Sequence, residues 1–227
     1  FGLMGHQKRV TCIALAWPGL AVSGGEDGQL LVWNMDRGVV ARHLRRHLSE
    51  VCCLALHRDK QVLLSAGMDM VKAHRVSQGD VLWEFSDPHH GRVSFLDVDW
   101  LSDRSLLGRQ RGTLQLLHHA DKLVKDTLEV GAGLQCLSVH WTSDRAATID
   151  MDGVVRVWNL LAHECLVRLQ APGPARMLAV DWTVMDVVLG TADGLWLLPT
   201  VDLGGEYSSI TDATGGHKFS CLAANFA

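Results

Sequence analysis

A hydroxyl, an imidazole and a carboxylate stand near the start of the chain at Ser23, His6 and Asp27. In nucleophilic enzymes these three types supply the attacking oxygen, its base and the group that orients the base. A triad is recognised by geometry, and nothing around Ser23 resembles a nucleophile elbow. The HExxH, P-loop and dinucleotide-binding patterns are absent as well. Six cysteines (Cys12, Cys52, Cys53, Cys136, Cys165, Cys221) and the pairs His89-His90 and His118-His119 are the candidates for metal or redox chemistry. Neighbours along a strand diverge to opposite faces, so neither a histidine pair nor Cys52-Cys53 lines a single site. No further ligand falls at a zinc spacing. The chain is therefore expected to hold no catalytic residue, no cofactor and no metal.

The composition narrows the classes further. With 227 residues there is ample chain for a large core. A balance of 21 Lys+Arg against 25 Asp+Glu leaves a formal charge of −4, which argues against broad phosphate neutralisation and hence against nucleic-acid binding. No apolar run approaches the roughly 20 residues of a membrane helix, so no membrane partner is expected. The chain opens at Phe1 without an initiator Met or a signal pattern, which reads as a trimmed or internal segment. Cysteines without disulfide or zinc spacing read as reduced thiols in an intracellular protein, cytoplasmic or nuclear.

The elements that carry these residues repeat. GHQKRVTCIALAW returns as RHLSEVCCLALHR, HHGRVSFLDVDW, GAGLQCLSVHW and PARMLAVDW. The apolar residues that open each run are Val10, Val51, Val93, Leu134 and Ala175, in steps of 41, 42, 41 and 41 residues. A sixth copy, GHKFSCLAANF, opens at Phe219, 44 residues further on. Within a period, short β-branched runs alternate with turn signals such as Glu26-Asp27-Gly28, and helical periodicity is absent. Four strands in about 41 residues predict one antiparallel sheet per repeat, the period of a propeller blade.

The first copy carries His6 after Gly5, then Ser23-Gly24-Gly25-Glu26-Asp27-Gly28, then Leu31-Val32-Trp33-Asn34. In these motifs the chain resembles the WD-repeat β-propellers. In that family a His, a Ser or Thr, an Asp and a Trp of one blade form a buried hydrogen-bonded tetrad. Carried over, the first blade supplies His6, Ser23, Asp27 and Trp33. The second supplies His47, Ser65 and Asp69, with His74 in the Trp slot if one turn residue is deleted. The fourth supplies Thr148, Asp152 and Trp158 but no His. The third keeps His89, with Gly108, Arg111 and Leu117 in the other slots. The fifth keeps only the turn Thr191-Ala192-Asp193-Gly194, with Trp196 out of register.

The resemblance implies an all-β fold of four-stranded antiparallel blades. Their spans are about 5–45, 46–87, 88–130, 131–171 and 172–214, and 215–227 give the first strand of a sixth, within one propeller segment over 1–227. The family's usual ring has seven blades, so flanking blades or another chain are expected to close it. It also implies a non-catalytic scaffold that binds protein or peptide partners. The alternative is a propeller serving an enzyme whose catalytic part lies outside this segment. The entering loops place Arg9, Glu50 and Arg92 just before the anchors, on the face that commonly meets peptides in this family, and these three are the expected contacts. Trp17, Trp100, Trp141 and Trp182 all lie seven residues after their anchors, with Phe226 in the same slot of the sixth copy. They are expected either to cap seams between blades or to form a partner-binding belt.

Overall fold

The structure, a computed structural model, describes residues 2–16, 19–68, 70–184, 186–191, 194–199 and 208–209. The first sheet comprises β1 (Val10–Ala16), β2 (Leu20–Gly25), β3 (Leu30–Asn34) and β4 (Val39–Leu44). The second comprises β5 (Val51–His57), β6 (Val62–Gly67), β7 (Met70–Arg75) and β8 (Asp80–Ser86). The third runs through β9 (Val93–Asp99), β10 (Arg104–Arg109), β11 (Thr113–His118) and β12 (Leu123–Glu129). The fourth holds β13 (Leu134–His140), β14 (Arg145–Asp150), β15 (Val154–Asn159) and β16 (Glu164–Gln170). The fifth holds β17 (Ala175–Asp181), β18 (Asp186–Thr191), β19 (Leu195–Pro199) and β20 (Ser208–Ser209). In all five sheets the spatial order follows the chain order, a meander of hairpins. This is the blade architecture of a β-propeller, as the period of the repeats predicts. The sixth copy from Phe219, with Cys221 and Phe226, lies outside the described residues, as do Trp17, Asp69 and Asp193.

Sequence pattern explains the layers. The middle strands are buried on both faces and read as continuous apolar runs, for example Val62–Gly67. The fourth strands alternate, and in β8 and β12 every second residue is half-buried and the rest exposed, which marks them as outer edges. A β-bulge recurs just after the anchor in every first strand, as between Val10 and Cys12, Val51 and Cys53, and Leu134 and Cys136. It shifts the anchor onto the last residue of the second strand and bends the chain where the entering loop joins the sheet. The turn before the second strand needs a left-handed residue: Gly19 (φ 76°) in the first sheet, and Gln61, Asp103 and Asp144 (φ 49°, 47° and 49°) in the next three.

The chain divides into two compact units, residues 1–110 with 115–127, and 111–114 with 128–227. In the first unit β1, β5 and β9 pack side by side as inner strands. Val22, Leu30, Val32, Val51 and Leu63 fill the space between the first two sheets. Leu64, Val71, Val93, Leu107 and Leu117 fill the space between the second and third. In the second unit β13 packs beside β17, over a core of Ile149, Val155, Val157, Val187 and Leu189. The seams between blades are thus the hydrophobic core itself.

Truncation at a seam should therefore destabilise far more than truncation at a loop. Leu107→Ala, fully buried, is expected to lower the unfolding free energy by about 2–5 kcal/mol in urea denaturation. Leu101→Ala, with Leu101 97% exposed, is expected to stay within about 0.5 kcal/mol of the parent.

Candidate functional site

The residues singled out in the sequence converge where each entering loop meets its blade. In the first sheet His6 Nδ1 lies 3.0 Å from Asp27 Oδ1, and His6 Nε2 lies 2.7 Å from Ser23 Oγ. Trp33 Nε1–H donates to the same hydroxyl at 2.7 Å. The backbone N–H groups of Gln7 and Gln29 also donate to Asp27. Burial pushes the Asp27 carboxyl up, but these donors and His6 outweigh it and hold it below its usual range. Ser23 has a hydrogen-bonded indole on one side and an imidazole on the other. All four side chains spend their polar atoms on one another, which joins residues 6–7 to β2, β3 and the turn between them.

In the second sheet His47 Nε2 meets Ser65 Oγ at 2.8 Å. Asp69 lies outside the described residues. His74 occupies the Trp slot by register, since Leu63 pairs with His74 as Ala21 pairs with Trp33. It does not reach Ser65, however, and corrects that part of the tetrad. Imidazole is shorter than indole, and His74 Nε2 instead lies 3.3 Å from the carbonyl of Arg45, while Ser65 turns to the carbonyl of Lys72 at 3.4 Å. Lys72 is buried beside them, with Nζ donating to the carbonyl of Arg46 at 3.1 Å and lying 3.1 Å from Glu84 Oε1. Burial first, then the Lys72 ammonium, depresses both imidazoles, each to a pKa of about 4.

The fourth sheet keeps the Thr148–Trp158 bond, Nε1–H to Oγ1 at 2.9 Å. Its Asp slot needs correction. Asp152 is exposed, whereas Asp150 is buried, accepting from the backbone of Asp152 and Val154 and pairing with Arg156 at 2.5 Å. With no histidine over this blade, nothing draws Asp152 inward. The third sheet also departs from expectation. Register places Leu107, not Gly108, in the hydroxyl slot, because Gly108 pairs with Phe95 as Ile149 pairs with Cys136. His89 and Arg111 are exposed. The loop is held instead by Arg109, which donates to Gln115 Oε1 at 2.8 Å and to the carbonyl of Gly91 at 2.6 Å, while Gln115 donates to Asp87 at 2.8 Å. In the fifth sheet Trp196 pairs with Leu189, out of the Trp register, yet its Nε1–H reaches Thr191 Oγ1 at 3.1 Å.

Two aligned columns, not singled out from the sequence, account for these substitutions. The residue two before the Trp slot is Leu31, Lys72, Gln115 and Arg156 in the first four copies. A polar residue recurring inside apolar third strands was the available signal. The residue opposite the anchor is Gly25, Gly67, Arg109, Asp150 and Thr191. A Cβ on Gly25 would lie 2.7 Å from His6 Nδ1, and one on Gly67 would lie 3.3 Å from His47 Nδ1. Asp27 Oδ1 lies equally close to the Gly25 site, and the Glu50 carbonyl lies closer still to the Gly67 site at 2.7 Å. Glycine thus stands where the entering loop and its imidazole fill the space, and a polar side chain stands in the other three sheets.

The remaining candidates fall outside these networks. Arg9 pairs with Glu26 at 2.8 Å, and Arg92 pairs with Glu50, joining the third sheet's entry to the second's. Trp100, Trp141 and Trp182 are half-buried. Trp100 meets His57 edge-on at 5.2 Å, and Trp182 stacks on His140 at 5.5 Å, so both indoles close seams against the preceding sheet. The thiols of Cys52 and Cys53 are pushed up to about 11 and about 12 by burial, which leaves them weakly nucleophilic. Among the described residues no group of three or more His, Cys, Asp or Glu could hold a metal ion. No helix among them is long and apolar enough to cross a membrane.

A β-propeller built of four-stranded blades with loops tied down at their entries is the class that fold and site define. Residues 1–34 and 38–71 match the family model described as WD domain, G-beta repeat. The chain thus carries WD repeats. It is 30% identical over 67 residues to a p21-activated protein kinase-interacting protein 1-like of Gallus gallus, covering 30% of this chain and 18% of the relative. It is 23% identical over 158 residues to the angio-associated migratory cell protein of Homo sapiens, covering 68% and 36%. It is 26% identical over 160 residues to pre-mRNA-processing factor 19 of Bos taurus, covering 70% and 24%. The chain therefore spans about a third or less of the length of these relatives.

Two predictions follow from the buried networks. Ser23→Ala strands His6 Nε2 and the Trp33 N–H and should cost about 1–3 kcal/mol in urea unfolding, whereas Asp152→Asn should change it by less than about 0.5 kcal/mol. The second concerns pH. Between the ordinary histidine value of 6.5 and about 4, the unfolded chain binds protons that His47 and His74 refuse in the fold. Their contribution is complete above about pH 6.5 and is lost as pH falls towards 4. Urea midpoints measured from pH 7 to pH 4.5 should fall steadily, and His74→Gln should flatten that slope.

Proposed function

We propose that the chain is a non-catalytic protein-interaction scaffold that receives a peptide or protein partner on the end of the blades where the loops enter. The observation that carries this reading is the surface of that end in the first unit. Leu48, in the loop entering the second sheet, is 90% exposed, and the exposed Met68 lies in the turn between the second and third strands of that sheet. The entering loops also carry Arg9, Arg45 and Arg46, all exposed, with Arg9 beside Glu26 and Arg45 4.0 Å from Glu84. Apolar side chains set among arginines fit an acidic segment that carries apolar anchors. Arg9 is the most open of the three expected contacts, while Glu50 and Arg92 form the rim beside it. WD repeats imply a protein-binding scaffold, and the chicken relative is named for its interaction with a kinase. An intracellular site of action fits the unpaired thiols of Cys12, Cys52, Cys53, Cys136 and Cys165.

The same unit supports further blades beyond those described. Val51, Leu54 and Leu56 of β5 are packed against the first sheet, yet their counterparts Val10, Ile13 and Leu15 on β1 are exposed. We infer that another sheet covers them in the full protein, within one propeller segment that includes residues 1–227.

The test is capture with the full-length protein. Arg9→Glu combined with Leu48→Ser should weaken retention of the principal partner at least tenfold while leaving the melting temperature within about 2 °C. Unchanged retention would remove the entry end as the contact surface.

A further inference from the structure

The loop that carries Leu48 into the second sheet is fastened by side chains that are themselves titratable. Two of its consecutive carbonyls are held from β7. His74 Nε2 lies 3.3 Å from the carbonyl of Arg45, and Lys72 Nζ donates to the carbonyl of Arg46 at 3.1 Å. His74 is fully buried and Lys72 nearly so. The loop adds His47, whose Nε2 lies 2.8 Å from Ser65 Oγ and whose backbone N–H donates to the carbonyl of Gly28 at 2.9 Å. Arg45, Arg46 and Leu48 point outward and contribute nothing to the core.

A carbonyl accepts only from an N–H, so the neutral His74 ring carries its proton on Nε2. Nδ1 then holds the lone pair, and it is buried without a hydrogen bond among the described residues. A second proton has to enter there, where none of those residues offers an acceptor. The charged groups that act on His74 are Lys72 on its own strand, Arg45 in the loop and Glu84 on β8, and His47 in the loop is coupled to it. Glu84 already lies 3.1 Å from the Lys72 ammonium and 4.0 Å from the Arg45 guanidinium. Among the described residues one carboxylate thus faces two cations, and a third would stand buried and unmatched. Burial is the largest cause that lowers the pKa of His74, to about 4.

We propose that this loop is an acid-sensitive latch: protonation of His74 releases residues 45–50 from β7 while the sheets stay folded, and so withdraws the surface made by Leu48, Arg45 and Arg46. The seams on either side of the second sheet are apolar and do not respond to pH, whereas the loop hangs on hydrogen bonds to side chains. Lifting it hydrates the ring and returns its pKa towards 6.5. A shift of that size makes the open form about twentyfold more populated at pH 5 than at pH 7. That the loop is a partner surface rests on the reading above. Its release by acid does not.

The test is hydrogen–deuterium exchange of the full-length protein between pH 7 and pH 5, read by mass spectrometry at residue resolution and corrected for the intrinsic effect of pH. The reporter is the His47 amide. The control is the Ala171 amide, which makes the matching bond to the Gly153 carbonyl at the entry to the fifth sheet. Protection at His47 should fall at least about twentyfold across this range, and protection at Ala171 by less than about twofold. His74→Gln keeps a donor for the Arg45 carbonyl and does not titrate here, so it should shrink the fall at His47 by about twentyfold. A parallel fall at both amides would mean that the whole fold opens and would overturn the proposal. No fall at His47, or one that His74→Gln leaves unchanged, would overturn it equally. The comparison of the two amides in the parent stands whether or not the variant folds. No partner enters the exchange, so its failure is distinct from a failure of capture at the loop end.

Discussion

Each blade of this chain has to tie down a loop that arrives from the previous blade and crosses buried ground. Such a segment is irregular backbone next to a hydrophobic seam, and its polar groups must find partners inside the protein. Several solutions coexist. The first blade uses an imidazole bonded to a carboxylate and a hydroxyl. The second keeps the imidazole and hydroxyl and adds two side chains that hold loop carbonyls, Lys72 on Arg46 and His74 on Arg45. The third has lost the hydroxyl and uses Arg109 and Gln115 to grip Gly91 and Asp87. The fourth bonds its loop through the backbone, Met151 N–H to the Gly133 carbonyl, and buries beside it a carboxylate–guanidinium pair, Asp150 and Arg156, that holds the turn between its second and third strands. The requirement persists while the chemistry that meets it changes.

The exchange is steric before it is electrostatic. A Cβ at the position opposite the anchor would meet Asp27 Oδ1 and His6 Nδ1 at 2.7 Å on Gly25, and the Glu50 carbonyl at 2.7 Å and His47 Nδ1 at 3.3 Å on Gly67, so glycine stands at both. In the third and fourth sheets, where no imidazole lies in that space, the same position carries Arg109 and Asp150. A charged side chain in that space must be neutralised in place, because an unpaired buried charge costs several kcal/mol. This is why Asp150 and Arg156 occur together, and why Asp87 stands 4.0 Å from Arg109 while Gln115 and the Gly91 carbonyl accept its N–H groups. Loss of the histidine and gain of the buried pair are two sides of one packing change.

How much of this the sequence discloses follows from the same logic. The blades are legible because the anchors recur at a fixed step and short apolar runs alternate with turn signals, which delimits Val10–Ala16 and Leu20–Gly25. The complete set in the first blade was legible because all four of its residues keep their spacing. Asp152 was misleading because two carboxylates lie two residues apart, and only the missing histidine and Arg156 decide that Asp150 is the buried one. His74 sat in the correct register yet made a different bond, since spacing fixes a position and not the reach of the side chain that fills it. Arg109, Gln115 and Asp87 belong to no motif. They become visible only when the copies are aligned on strand register rather than on the turn residues, whose number varies from blade to blade.

The seams complete the argument. Inner strands lie side by side, and the apolar residues between sheets form the core, so each sheet is stable only against its neighbours. The indoles seven residues after the anchors serve this packing, with Trp100 against His57 and Trp182 against His140. An aromatic face bonded into a seam is not available as a belt for partners. On the reading proposed above, recognition falls to the loop end, where Leu48 stands exposed in the same loop as Arg45 and Arg46. On that reading, tying the entering loops tightly to the sheets presents a partner with a surface already ordered, so less conformational entropy is given up on binding.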